Sequence, residues 1–420
     1  MPLPDLIEIV PPDKPVCAEI SVPGSKSITN RALILAALAD GETTLQGALW
    51  SEDTQVMVEC LQELGFMVNV VPDAQEACNR TITVYGKGGS VLPGGTEEHP
   101  LELYVGNAGT AARFLAALVC FGKGVYCLHG VPRMHERPQA ALLQALRELG
   151  YRIDSPNDKL PALIFGTGPR AAKCQVSIEE SSQFASALLL CAETARWQVQ
   201  VTGQSAEESP YVAMTAKLIR VFPKAGGTFQ IEPDASSASY FWAAAFLLSK
   251  AALSERPTSD WQVDAAFRRF LPLPRQVSRR ADLGDSIMMA IVLAPFSEYP
   301  VTFTDLGRLR VQECERVAAL RSELARCGAM VTEQGDTLTV SPSQLHGAEI
   351  ETYGDHRMAM CFAILGLKVP GIRLKNPSCV KKTFPSFYQK LAASPPGGLG
   401  ARILDGKSGR VLRSDELFAE

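Results

Sequence analysis

At Gly106-Asn107-Ala108-Gly109-Thr110 a β-like run breaks off, and the chain turns at once into the apolar, alanine-rich run Ala111 to Leu118. Beyond it, Val125-Tyr126-Cys127-Leu128 reads as a strand and Ala140 to Leu149 as a second helix. Gly150 stops that helix and Tyr151-Arg152-Ile153 resumes as strand. The same pattern starts at Pro23-Gly24-Ser25-Lys26-Ser27. It runs through a helix at Arg31 to Leu38, the extended Glu42-Thr43-Thr44-Leu45, an amphipathic helix from Asp53 to Leu64, Gly65 and the strand Val68-Asn69-Val70-Val71. It recurs from Gly284-Asp285-Ser286 through Val301-Thr302-Phe303 to a helix at Val317 to Cys327, closed by Gly328. Glu180-Ser181-Ser182-Gln183, Asp234-Ala235-Ser236-Ser237 and Gly354-Asp355-His356-Arg357 bring the breaks to six. The fourth copy is trimmed: the interval from Asp234 to Asp285 is short, and Arg256-Pro257 and Pro272-Leu273-Pro274 stand where a second half belongs.

Each break sets Ser, Thr, Asn or Asp where a helix N-cap belongs, leaving backbone N–H groups at a positive helix end. Repeated six times, this predicts a site for anions built from helix N-termini. Lys26, Arg31, Arg113, Arg137, Arg316, Arg357 and Lys382 lie in or near the same stretches.

Composition narrows the partners. A chain of 420 residues predicts two or three domains, and 46% hydrophobic with 20% charged residues is ordinary for a soluble protein. No apolar run approaches the ~20 residues of a membrane span, and Met1 to Val16 lacks the pattern of a secretory signal. Eleven scattered cysteines without C-x-x-C pairs predict reduced thiols and a cytoplasmic protein. A net charge of −4 with no basic run argues against nucleic acid. The five histidines show no ligand spacing, so no metal is expected, and with neither a P-loop nor a G-x-G-x-x-G between strand and helix no other cofactor is expected. After Leu391, Ser394-Pro395-Pro396-Gly397-Gly398 reads as a linker and residues 392–420 as a solvated, disordered tail, or at most a hairpin around Asp405-Gly406.

Taken singly, the motifs are weak. Gly24-Ser25-Lys26-Ser27 has Ser25 and Ile20 where a P-loop needs glycines. Glu313 with Arg316 is the spacing of an ordinary surface bridge on a helix. Ser181-Ser182-Gln183 alone is a good N-cap, and Lys381-Lys382 is ordinary surface.

Taken in order, they resemble the 5-enolpyruvylshikimate-3-phosphate synthase family of enolpyruvyl transferases. The residues that carry the resemblance are Pro23-Gly24-Ser25-Lys26-Ser27 with Arg31, Gly106-Asn107-Ala108-Gly109-Thr110-Ala111, and Arg133-Met134-His135-Glu136-Arg137-Pro138. They continue with Ser181-Ser182-Gln183, Asp234-Ala235-Ser236-Ser237-Ala238, Asp285-Ser286, Glu313 with Arg316, Asp355-His356-Arg357-Met358-Ala359-Met360 and Lys382-Thr383-Phe384. The resemblance implies an inside-out α/β barrel of two domains, each of three βαβαββ-type repeats, closing over a cleft. One domain would hold residues 25–235, the other 1–24 plus 236–391. The implied reaction moves the carboxyvinyl group of phosphoenolpyruvate to the 5-hydroxyl of shikimate 3-phosphate, in a protein expected to be a monomer.

By the same resemblance Lys26, Asn107, Gly109, Arg137, Gln183, Arg316, Arg357 and Lys382 would bind phosphoenolpyruvate. Lys26, Ser27, Arg31, Ser181, Ser182, Gln183, Tyr211, Asp285 and Gln312 would bind shikimate 3-phosphate. Lys26, Asp285, Glu313 and Lys382 would be catalytic, with Glu313 protonating the methylene carbon and Asp285, assisted by Lys26, serving the hydroxyl. Gly109 beside Thr110 would leave open the space that glyphosate fills. Three positions depart from the family: Gln312 where a Lys is common, Arg308 where an Asn is common, and Glu208 where a phosphate-binding Ser is common. Arg308 is expected to replace the charge missing at 312. The rival readings are an enolpyruvyl transferase with another acceptor, such as UDP-N-acetylglucosamine, and a non-catalytic binding protein on the same fold.

Overall fold

A parallel pair of strands needs a crossover between them, and the apolar runs after the breaks supply it. Leu101–Tyr104 leads through the helix Gly109–Leu118 into Lys123–His129, which lies parallel to it. The helix Ala140–Glu148 then leads to the antiparallel strands Arg152–Asp154 and Ala162–Thr167, the latter pairing Lys123–His129. The resulting order is one parallel followed by two antiparallel pairings. Three more four-stranded sheets repeat it: Gly227–Gln230, Glu42–Leu49, Asn79–Tyr85 and Met67–Pro72; Gln276–Ser278, Val301–Thr304, Thr337–Ser341 and Met330–Gln334; and Glu349–Ile350, Ile372–Lys375, Leu6–Val10 and Arg402–Asp405. Two parallel pairs, Ala172–Ser177 with Trp197–Thr202 and Ala18–Ile20 with Ala251–Leu253, complete the strands.

These elements come from a computed structural model that describes residues 3–13, 16–203, 209–248, 251–253 and 259–420. Glu208 lies outside the described residues. The chain divides into two compact units, one of residues 1–23, 76–78 and 233–420, the other of 24–75 and 79–232. Among the described residues no helix is long and apolar enough to cross a membrane. All eleven cysteines are free thiols.

The helices that follow the breaks are apolar nearly all round, and such helices belong in an interior. In the 24–232 unit, Lys26–Leu38, Gly109–Leu118 and Ser182–Ala195 pack on one another, and every residue of Gly109–Leu118 is buried. In the other unit, Ala235–Leu248, Ile287–Leu293 and His356–Gly366 do the same, the last two buried throughout. Small residues let the backbones approach, and the sheets cover the outside of each helix cluster. The fourth copy is short as expected: after Ala251–Leu253 the described chain has a 3₁₀ segment, Val263–Phe270, before the next strand.

The tail is the main correction. Residues 392–420 are not a disordered appendage, and the alternative expectation of a hairpin around Asp405-Gly406 is the one that stands: Asp405 N–H donates to Arg410 O at 2.8 Å, Leu412 N–H donates to Ile403 O at 2.8 Å, and Leu404 bridges Val411. Arg402–Asp405 pairs antiparallel with Leu6–Val10 and fills the edge position that Arg152–Asp154 and Met330–Gln334 fill in their own sheets. Leu399, Ile403, Leu412 and Leu417 are buried. Counting apolar residues missed this because the demand comes from elsewhere. Leu6–Val10 is a central strand whose second row of N–H and C=O groups needs partners, and the sixth copy has no hairpin of its own.

Candidate active site

Six helix N-termini carry the predicted residues, but the caps are uneven. Ser181, Asp234 and Asp355 accept a backbone N–H with their side chains, from Gln183, Ser237 and Arg357. Ser25, Ala108 and Ser286 occupy the cap position of the other three helices without a side-chain cap bond. In the middle case the predicted cap, Asn107, sits one residue too early. At Lys26 and Gly109 the first-turn donors are therefore not spent on a side-chain cap, whereas at Ser286 the turn N–H groups bond Asp264 Oδ1 and the carbonyls of Gly284, Asp285 and Ser286.

In the 24–232 unit the three first turns are tied together. Asn30 donates to Thr110 Oγ1 at 3.3 Å, and Arg113 Nη1 to Gln183 Oε1 at 3.3 Å. Lys26 Nζ lies 2.9 Å from Asp53 Oδ2, both largely buried. Ser27 and Tyr211 are half-buried, as are Ser181 and Gln183, while Ser182 is buried. Arg137 donates to the carbonyl of Asn107 at 3.1 Å and to its Oδ1 at 3.4 Å. Arg113 and Arg137 converge on Gly109: a Cβ there would meet Arg113 Nη1 and lie 2.7 Å from Arg137 Nη2. The absent side chain is what admits two guanidiniums to this helix end.

Arg31 is placed differently from the expectation that it contacts the acceptor. It is 1% exposed, and donates to Thr215 Oγ1 at 2.8 Å, the Ser27 carbonyl at 2.8 Å and Ser186 Oγ at 3.0 Å. Burial pushes its guanidinium down to about 10. It braces Ser27 from beneath and presents almost no surface to a ligand.

In the unit with residues 233–420, charge is concentrated around Asp285. Arg279 Nη2 lies 2.8 Å from it, Arg357 Nη2 3.3 Å and Arg316 Nη1 4.0 Å. Gln312 Nε2 donates to Asp285 Oδ1 at 3.4 Å. Burial disfavours the charged carboxylate, but the guanidiniums of Arg357, Arg279 and Arg316 outweigh it and hold the carboxyl well below the usual range. Arg316 is buried and held by Asp355, with Nε at 2.6 Å and Nη2 at 3.2 Å, while Glu313 lies 2.8 Å away. Burial alone would lower the Arg316 pKa; Asp355, Glu313 and Asp285 raise it instead. Arg357 also reaches the Tyr240 hydroxyl at 3.5 Å. Lys382 is buried at the end of the 3₁₀ segment Pro377–Lys382.

Sequence reasoning missed several supports. Asp264, in the trimmed copy, accepts from Gly284 N at 2.8 Å and Ser286 Oγ at 2.7 Å, and also from Ser236 Oγ, so it fixes the turn that carries Asp285. Asp53 was visible only as an acidic residue in a first helix turn. Arg113 was noted among the basic residues of these stretches but given no role, although a charge inside an otherwise apolar helix must have a buried partner. Arg279 carried none. Arg279 thus joins Arg316 and Arg357 beside Asp285, and Arg308 lies in the 3₁₀ turn Gly307–Val311.

The model of the EPSP synthase family (3-phosphoshikimate 1-carboxyvinyltransferase) matches residues 10–227 and 273–391. The chain belongs to the EPSP synthase family. The unmatched interval 228–272 coincides with the trimmed fourth copy. Curated relatives named 3-phosphoshikimate 1-carboxyvinyltransferase include that of Opitutus terrae, 38% identical over 93% of this chain and 98% of its own. That of Trichormus variabilis is 36% identical over 92% and 98%. Among solved structures, an EPSP synthase from Acinetobacter baumannii covers 95% of this chain and 99% of its own at a TM-score of 0.69 and 20% identity. The enolpyruvyl transferase NikO from Streptomyces tendae gives 0.66 at 17% identity, covering 95% and 98%. At these identities the two structures show a shared two-domain α/β fold, and membership in the EPSP synthase family rests on the family model and the curated relatives.

Proposed function

We propose that this chain transfers the carboxyvinyl group of phosphoenolpyruvate to the 5-hydroxyl of shikimate 3-phosphate, releasing phosphate. Both substrates are polyanions, and guanidiniums bind carboxylate and phosphate through paired hydrogen bonds. The observation that carries the reading is the cation-rich ring on Asp285: a carboxylate beside Arg316 and Arg357, with Glu313 on Arg316, offers anion binding and two carboxyl groups for proton transfer.

In this reading Arg137, Gln183, Arg316, Arg357 and Lys382 hold phosphoenolpyruvate, with Asn107 fixing Arg137 and Gly109 lying against the ligand. Ser27, Ser181, Ser182, Tyr211 and Gln312 hold shikimate 3-phosphate, Lys26 touches both substrates, and Arg31 supports Ser27. A proton from Glu313 goes to the methylene carbon while the 5-hydroxyl oxygen bonds to C2 and loses its proton to Asp285, assisted by Lys26. The tetrahedral intermediate then loses a proton from its methyl carbon and expels phosphate, restoring the double bond in the product. The protein is read as acting in the shikimate pathway, in the cytoplasm and as a monomer.

Purified protein should release phosphate from phosphoenolpyruvate when shikimate 3-phosphate is present and not when UDP-N-acetylglucosamine replaces it. Glu313→Gln should lower the rate by ~10²–10⁴ in the same assay. Release with the nucleotide sugar instead would overturn the acceptor.

A further inference from the structure

Position 312 is a glutamine in a family where lysine is common, and its amide reaches Asp285 Oδ1 at 3.4 Å. A cation at 312 would therefore lie against the same carboxylate. Another cation already does. Arg279 Nη2 donates to Asp285 Oδ1 at 2.8 Å, its side chain 7% exposed and that of Asp285 16%.

The loop that delivers Arg279 is firmly built. Its own N–H donates to Thr304 O at 3.0 Å at the end of the parallel strand pair. Asp282 Oδ2 accepts from Ser278 N at 2.8 Å, Ser278 Oγ accepts from Ala281 N at 3.0 Å, and Ser278 Oγ donates to Asp305 Oδ2 at 2.6 Å. The neighbouring Arg280 turns to Asp305 at 3.3 Å on the exposed side, so the two arginines diverge and only Arg279 faces inward. The Nε–H of Arg279 is buried without a hydrogen-bond partner. A guanidinium is costly to bury, and here the carboxylate of Asp285 is what it is held against.

We propose that Arg279 is a positioning residue for Asp285, fixing its carboxylate and restraining its basicity toward the acceptor hydroxyl, and that it supplies the positive charge residue 312 lacks. The proposal rests on the enolpyruvyl-transfer reading above. The charged groups facing Asp285 are Arg279 from the loop after Gln276–Ser278, Arg316 with Glu313 ahead of Arg316–Arg326, and Arg357 with Asp355 at His356–Gly366. Asp264 stands behind the turn on Gly284 and Ser286. Anionic substrate would occupy Arg316 and Arg357 and divert them from Asp285. Arg279, on the strand side, keeps its hold, so it sets how strongly Asp285 draws the hydroxyl proton during turnover.

The test uses full-length Arg279→Gln, Arg279→Lys and the double variant Arg279→Gln/Gln312→Lys. Two readouts are taken: kcat/KM for shikimate 3-phosphate against pH, and the ¹³C carboxyl titration of Asp285 in the ligand-free protein. An opposite charge at this range holds a carboxyl down by roughly 1–3 pH units. Arg279→Gln should therefore move the acid limb of kcat/KM and the carboxyl titration up by about one unit. Because the carboxylate also loses its fixed orientation, the same variant should lower kcat/KM for shikimate 3-phosphate by about tenfold and leave KM for phosphoenolpyruvate within about twofold. Arg279→Lys and the double variant should return both readouts most of the way. An unmoved limb and titration in Arg279→Gln overturns the proposal. So does a double variant that fails to fold, because a merely structural arginine is not rescued by a lysine at 312. If the parent protein makes no product from these substrates, the functional reading fails, and the carboxyl titration still decides whether Arg279 governs Asp285.

Discussion

Single residues at this site are readable by type and misread by environment. Arg31 and Arg137 look alike in sequence, yet one is a buried brace among Thr215, Ser186 and the Ser27 carbonyl, and the other lies with Arg113 over Gly109. Glu313 and Arg316 have the spacing of a solvated bridge but sit at 10% and 1% exposure. Gly109 gives a direct test at this scale. A methyl group there must displace the tips of Arg113 and Arg137, so Gly109→Ala should raise KM for phosphoenolpyruvate about tenfold while kcat changes less. Glyphosate, the longer ligand by resemblance, should lose more affinity than the substrate. Steady-state kinetics with inhibitor titration checks both, and an unchanged KM would show that the guanidiniums do not hold the donor.

Secondary-structure elements were legible wherever periodicity, caps and glycines agreed. The helix read from Asp53 to Leu64 is Glu52–Glu63, with Gly65 at φ +80°, and the one read from Val317 to Cys327 is Arg316–Arg326. At the C-terminus only the hairpin around Asp405-Gly406 was legible; the strand pairing and burial of that stretch were not, because they depend on partners far along the chain. Glu416, by contrast, is held by neighbours within the C-terminal stretch itself. It accepts from Arg410 at 2.8 and 2.9 Å and from the Arg413 backbone at 2.9 Å, and these bonds pull its carboxyl from an ordinary 4.5 down to about 2. A depressed carboxyl contributes stability above its unfolded value and loses it as pH falls toward the folded one. Glu416→Gln should therefore melt below the parent near neutral pH, and the gap should close as pH falls from about 4.5 to about 2. A gap independent of pH would mean that the carboxylate charge contributes nothing.

At the scale of the whole molecule, the two ends of the chain complete one sheet: Leu6–Val10 is central in it and Arg402–Asp405 is its edge. Deleting residues 392–420 uncovers that strand and removes Leu399, Ile403, Leu412 and Leu417 from the interior. At ~1.5–3 kcal/mol for each buried aliphatic side chain, the loss is comparable to the 5–15 kcal/mol that typically stabilises a domain. The truncated protein should lose the cooperative unfolding of the unit containing residues 233–391, measured by calorimetry, while residues 24–232 still melt. An unchanged two-unit melt would return residues 392–420 to the status of a tail. What the sequence by itself determined was local: six strand-to-helix breaks, the helices that follow them, and the residue types that suit two polyanions, all set by spacing and backbone chemistry within a few residues. Tertiary structure alone decided which strand satisfies the far edge of Leu6–Val10, which arginines surround Asp285 and which arginine is walled in, because ion pairing and burial depend on distances that the chain order does not set.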